Sequence, residues 1–219
     1  MHESVQKLIH IEKLVNSKKE DLKLNTFPTI IAVSKTFKID KILPLIDFGH
    51  KHYGENKVQE ALEKWSETKV KIPDIKLHLV GKLQTNKVKF AIKVFDFIHS
   101  LDSKKLAKKI SEEQLKQNKK VKIFIQVNVG DESQKSGINK NELKDLYLYC
   151  QSLKLDVIGL MCLPPVEIDP VPFFLELNKL NTDLKLSELS MGMSSDFIEA
   201  VENNSTFLRI GSNIFGKRD

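Results

Sequence analysis

The sequence predicts a single α/β domain: a closed (β/α)8 barrel of the TIM type, with an extra helix at its N-terminus. Three observations carry that expectation. Eight short apolar stretches alternate with segments of helical periodicity, the strongest of them are apolar almost without interruption, and no linker rich in Gly or Ser divides the 219 residues. A strand that is apolar on both sides must be covered on both faces, as in a parallel sheet wrapped by helices. Eight such units fit a barrel of roughly 200 residues, with an open doubly wound sheet as the alternative.

The elements follow in order. Leu8, Ile11 and Val15, with Leu22 extending them, line one side of an N-terminal amphipathic helix. The first strand runs from Thr29 to Ser34, and a helix from Ile39 to Phe48 ends at Gly49, where a left-handed terminator is expected. His52-Tyr53-Gly54 is a weak strand; Lys76 to Val80 and Phe97 to Ser100 are stronger ones. Val121 to Val129 contains the run Ile123-Phe124-Ile125-Gln126-Val127, and the helix that follows, Asn139 to Gln151, opens on Asn139 and Glu142 at capping-box spacing. Val157 to Met161, the weak Leu189-Ser190 and Thr206 to Ile210 complete the eight, with Pro164, Pro165, Pro170 and Pro172 marking one long loop. One domain over residues 1–219 is therefore expected.

Composition narrows the function. With 41% hydrophobic and 29% charged residues the chain is an ordinary globular protein, not a disordered one. No apolar run approaches the roughly 20 residues of a membrane helix, and Met1-His2-Glu3-Ser4 lacks a secretory layout, so a cytoplasmic location and no membrane partner are expected. Cys150 and Cys162 have no metal spacing and read as small apolar residues. The net charge of +6 raises nucleic acid as a partner, yet only Arg209 and Arg218 are arginines and the lysines are scattered among 29 acids. Lys104, Lys105, Lys108 and Lys109 recur at helical spacing and read as a solvated face, so no nucleic-acid partner is expected.

In such a barrel the chemistry lies at the carboxyl ends of the strands. Lys35 follows Ile30-Ile31-Ala32-Val33-Ser34, where burial would push an amine toward its neutral, nucleophilic form. The plain alternative is one ordinary lysine among many. At the far end, Arg209-Ile210 runs into Gly211-Ser212, and Asn213-Ile214-Phe215 can open a short helix whose amides point at an anion. Ser190-Met191-Gly192-Met193-Ser194 supplies small residues after the seventh strand, where Gly192 permits close backbone approach. Ser194 reads equally well as the N-cap of the next helix. Arg209 is a guanidinium kept in a buried strand by a chain that otherwise uses lysine, so it is either a ligand of the site or half of a structural ion pair.

Six blocks then carry a specific resemblance: Ala32-Val33-Ser34-Lys35-Thr36; Tyr53-Gly54-Glu55-Asn56-Lys57-Val58-Gln59-Glu60; Gly81-Lys82-Leu83-Gln84-Thr85-Asn86-Lys87; Lys135-Ser136-Gly137; Leu189-Ser190-Met191-Gly192-Met193-Ser194; and Arg209-Ile210-Gly211-Ser212-Asn213-Ile214-Phe215-Gly216. In this order they resemble the pyridoxal phosphate homeostasis protein family, from about residue 29 to the C-terminus. The resemblance implies a fold similar to the N-terminal barrel of alanine racemase and pyridoxal 5'-phosphate (PLP) as cofactor, held as a Schiff base on Lys35. It implies that Ser190, Gly211 and Ser212 hold the phosphate, that Arg209 faces the pyridine nitrogen, and that Asn56 lines the pocket. Gly192 is carried with them as a cofactor-binding residue. Ser212 stands where the family commonly has threonine, and Gly130 where a serine is expected. By the same resemblance His78 falls beside the pocket, although a strand histidine is more often a hydrogen-bonded core residue.

Two functional classes compete for this cofactor, a non-catalytic carrier that stores, delivers or buffers PLP and an amino-acid racemase or decarboxylase, with an interaction protein whose pocket is vestigial as a third reading. An arginine facing the ring nitrogen keeps that nitrogen unprotonated and weakens the ring as an electron sink. Racemisation also needs two bases on opposite faces of the substrate carbon. Among the tyrosines only Tyr53 is a candidate for the second base, and packing in the barrel mouth is its simpler role. No counterpart of alanine racemase's additional β domain is present, so the expectation is a monomeric carrier without robust catalysis, serving PLP-dependent apoenzymes as recipients.

Overall fold

In the computed structural model, which describes residues 1–24, 27–132 and 136–216, the chain opens on helix α1 (Glu3–Asp21), with Val5, Leu8, Ile11 and Val15 as its buried stripe. Leu22 does not extend that stripe: it caps the helix and stays 42% exposed, because the chain turns away there. Strands and helices then alternate as β1 (Thr29–Val33), α2 (Ile39–Asp47), β2 (His52–Glu55), α3 (Val58–Lys71), β3 (Lys76–Leu79), α4 (Val88–Val94), β4 (Phe97–Leu101) and α5 (Lys104–Gln117). They continue as β5 (Lys122–Gln126), α6 (Lys140–Ser152), β6 (Asp156–Met161), α7 (Val171–Asp183), β7 (Glu188–Met193), α8 (Phe197–Glu202), β8 (Phe207–Ile210) and α9 (Ser212–Phe215).

The strands are parallel and close in sequence order, with β1 paired to both β2 and β8. The β1–β8 ladder, which sets Thr29 beside Phe207 and Ile31 beside Arg209, removes the open-sheet alternative. The two faces of each strand meet different apolar layers. Ile31, Val33, Phe97, Phe124, Met161 and Phe207 meet inside the barrel, where the Phe207 ring packs tilted against Phe97 of β4 and edge-on against Phe124 of β5. Ile30, Ala32, Leu77, Leu79, Ile123 and Ile125 face the helices. That double burial is why the strong runs are apolar without alternation.

Helix ends follow local chemistry. Gly49 closes α2 at φ 97, a left-handed value that glycine takes without steric cost, and its N–H donates to the Ile46 carbonyl. Asn139 occupies the N-cap of α6, but its side chain bonds the Glu142 carboxylate at 3.2 Å instead of a backbone amide. The run expected to extend to Val129 leaves the sheet at Gln126, and Val127 makes an isolated bridge to Ile138. Lys104, Lys105 and Lys108 are exposed on α5. Cys150 and Cys162 are buried, which pushes both thiols up to about 12, so they pack as neutral apolar groups. No helix among the described residues is long and apolar enough to cross a membrane.

Candidate functional site

The carboxyl ends of the strands surround a cavity of about 580 Å³. β1 delivers Lys35, which is half-buried on the cavity wall because the strand ends in a tight turn that brings the chain back across the mouth. β2 delivers Asn56. The Asn56 backbone lies so close to Gly81 that a Cβ there would sit 2.4 Å from the Asn56 carbonyl oxygen, so the glycine of the third block is a packing requirement. β8 delivers Arg209 to the floor and Gly211 and Ser212 to one wall. Five of the expected residues, Lys35, Asn56, Arg209, Gly211 and Ser212, thus line one space. Val33, Val80 and Leu163 give it apolar walls.

Ser190 and Gly192 stand elsewhere. Ser190 is fully buried inside the barrel, beneath the cavity, because its alternate position on β7 points inward below the mouth. Gly192 faces the helix layer at φ 90, and a Cβ there would meet the Cβ of Ala200 on α8 at 2.5 Å. Ser194, which the sequence offers either to the segment after the seventh strand or as an N-cap, is on the cavity wall, as is Ser195, which the sequence did not single out. The Ser194 hydroxyl accepts the amides of Gly211 and Asn213 at 3.2 and 3.4 Å, and Asp196 holds the N-cap position of α8. The missed signal was the pairing of two loops that are close only in the closed barrel. Tyr53 is turned out of the mouth: it packs on Trp65 of α3 with ring centroids 4.8 Å apart and donates its hydroxyl to the His50 carbonyl. Lys135 lies outside the described residues, and Gly130 lies beside Pro165, whose Cγ is 2.8 Å from where a Cβ would stand.

Beneath the cavity a polar row crosses the barrel. Arg209 Nη1 donates to Ser190 Oγ at 2.6 Å and Nη2 to the Cys162 carbonyl at 2.8 Å. Ser190 Oγ is 2.8 Å from His99 Nδ1; His99 Nε2 is 2.9 Å from His78 Nδ1; His78 Nε2 is 2.9 Å from His52 Nδ1. A guanidinium can only donate, so Ser190 Oγ accepts from Arg209; with the Ser190 hydroxyl donating to His99 Nδ1, each histidine in turn donates its Nε2–H to the next Nδ1. His78 is therefore the hydrogen-bonded core residue that a strand histidine usually is. Burial holds His78 and His99 well below the ordinary histidine value, with the neighbouring histidines and Arg209 adding to it. Arg209 is 4% exposed, and no carboxylate among the described residues forms an ion pair with it. Burial works against its charge and Asp196 supports it only at longer range. A buried cation so placed, at the floor of an open cavity, suits an acceptor entering from above.

The sequence profile for the alanine racemase N-terminal domain matches residues 20–219. The pyridoxal phosphate homeostasis protein of Aquifex aeolicus is 40% identical over 199 residues, covering 86% of each chain. The chain belongs to the pyridoxal phosphate homeostasis protein family. Another member, from Haemophilus influenzae, is 31% identical over 219 residues, covering 95% of this chain and 92% of its own. Among solved structures, PipY of Synechococcus elongatus with PLP bound superposes on this homeostasis-family chain with a TM-score of 0.81 at 32% identity, covering 92% of this chain and all of PipY. Alanine racemase of Clostridium difficile, at 14% identity and a TM-score of 0.72, shares the fold alone.

Proposed function

We propose that this member of the homeostasis family binds PLP in the barrel mouth and holds it without turning it over, as a cytoplasmic monomer that stores, buffers or delivers the cofactor to PLP-dependent apoenzymes. The observation that carries the reading is the meeting of Lys35, Arg209 and the Gly211-Ser212 turn on one cavity. The aldehyde of PLP supplies a carbon that the Lys35 amine can take in a reversible imine, with loss of water. Gly211 and Ser212, joined to the β7 loop through Ser194, would hold the phosphate; their backbone and hydroxyl groups are small and close enough to surround an anion. Arg209, pinned by Ser190 and the Cys162 carbonyl, would donate to the ring nitrogen and leave it unprotonated. Asn56 would line the ring's edge. Ser190 supports the cofactor through Arg209, and Gly192 through the packing of α8, so neither is needed as a direct contact.

The carrier reading is favoured over a racemase by the orientation of Tyr53, the one tyrosine weighed as a second base, which is buried in the outer layer. The test is the visible spectrum of the protein after incubation with PLP. An imine band that disappears in Lys35→Ala supports the reading, and identical spectra remove it. Incubating the loaded protein with amino acids of either hand separates the two functions: inversion or carbon dioxide release at ordinary enzyme rates overturns the carrier.

A further inference from the structure

Both peptide groups that flank Lys35 are held by charged side chains of α3. The Ser34 carbonyl accepts from Lys64 Nζ at 2.8 Å and from the Phe37 amide at 3.2 Å, the second bond closing a four-residue turn with Lys35 and Thr36 at its corner. The Thr36 amide donates to the Glu60 carboxylate. Thr36 sits at φ 71, the left-handed region, in the turn position that glycine or asparagine normally fills and a β-branched residue avoids. A turn of this shape persists only where its surroundings hold it.

The holding group is a buried ionic cluster. Lys64, its side chain 8% exposed, bridges Glu55 and Glu60 at 2.9 Å each. Glu55 also accepts from the Ser34 hydroxyl at 2.8 Å and the Trp65 indole at 2.9 Å. Burial raises the Glu55 carboxyl even against the opposing Lys64 charge. At Glu60 partial burial acts the same way, but hydrogen bonds from Lys64 and Thr36 outweigh it and hold that carboxyl low. Such a cluster is an inefficient way to stabilise a fold: well-packed apolar residues do as well, and here Glu55 Oε2 is left buried with no partner. What the cluster does secure is the turn that carries Lys35.

We propose that Glu60 and Lys64 are positioning residues for Lys35, fixing the turn so that its amine stays directed into the cavity while they themselves touch no cofactor. The inference rests on Lys35 being the imine-forming residue. Angular misplacement of a reacting amine lowers its effective concentration steeply, so losing the Glu60 hold is expected to cost on the order of tenfold in imine formation.

The test uses the full chain with PLP and compares Glu60→Ala, Glu60→Gln and Lys35→Ala. Affinity and the rate of imine formation are followed by absorbance, and apo-protein melting is measured in parallel. Glu60→Ala should bind about tenfold more weakly and form the imine more slowly at nearly unchanged melting temperature. Glu60→Gln, whose amide oxygen can still accept from Thr36, should recover most of that loss. Wild-type affinity and rate in Glu60→Ala overturn the proposal, as does an equal loss in Glu60→Gln, which would assign the effect to charge and not to the turn. An imine band in the wild type that Lys35→Ala removes, with Glu60→Ala unaffected, sinks only the positioning role; a band that survives in Lys35→Ala sinks the reading beneath it.

Discussion

Arg209 donates to the hydroxyl of Ser190 at 2.6 Å, inside the barrel and directly beneath the cavity. The bond ties the one buried guanidinium of the described residues to a row of histidines that crosses the core. Ser190→Ala leaves a buried guanidinium N–H and His99 Nδ1 without this partner. A loss of about 1–3 kcal/mol in unfolding free energy is expected, together with weaker PLP binding, both readable by denaturant titration and absorbance. Unchanged values in both measurements contradict the linkage.

Arg209→Lys keeps the charge and removes the forked donation to Ser190 and the Cys162 carbonyl. Lysine offers a point charge in place of a planar fork. PLP should be retained about tenfold more weakly, with an altered absorbance maximum, a drop worth roughly 1.4 kcal/mol. Wild-type affinity and spectrum would remove Arg209 from the pyridine end of the site.

Acid should weaken the fold from near neutrality. Burial lowers His50 from the ordinary 6.5 to about 4, and lowers His52, where Lys76 adds to the effect. Burial also holds His78 and His99 well below their ordinary value. The unfolded chain takes up these protons as pH falls through 6.5 while the folded chain does not. The stability of the neutral row is therefore complete above that pH and is lost as pH falls toward the folded values. Each such histidine contributes a slope of about 1.4 kcal/mol per pH unit in that window. Denaturant midpoints at pH 7.5 and 5.5 measure it, and His99→Phe should lessen the slope; a flat profile between those pH values rules the account out.

Gly192→Ala tests whether that glycine serves packing or cofactor. Its φ of 90 and the Ala200 Cβ at 2.5 Å leave no room for a methyl group. Destabilisation of about 1–3 kcal/mol is expected, read as a lower melting temperature of the apo-protein. Full stability with lost PLP affinity would return Gly192 to the phosphate.

The amino-acid sequence alone determined the order and kind of the strands, because burial on both faces writes itself as unbroken apolar runs such as Ile123-Phe124-Ile125. It also marked Lys35, Arg209 and Gly211-Ser212, since a polar residue that ends an apolar run is local information. Tertiary structure decided which side of a strand each polar residue took. Ser190 and Arg209, on neighbouring strands, both point into the barrel, where they meet each other, Ser190 also reaching His99 and Arg209 the cavity floor. Tyr53 and His52 are neighbours that face opposite layers. The Ser194 bridge to Gly211, the histidine row and the α3 hold on Thr36 join residues 17 to 91 positions apart, or across a helix. Such contacts exist only once the barrel closes, because barrel closure, not sequence proximity, sets which side chains share a layer.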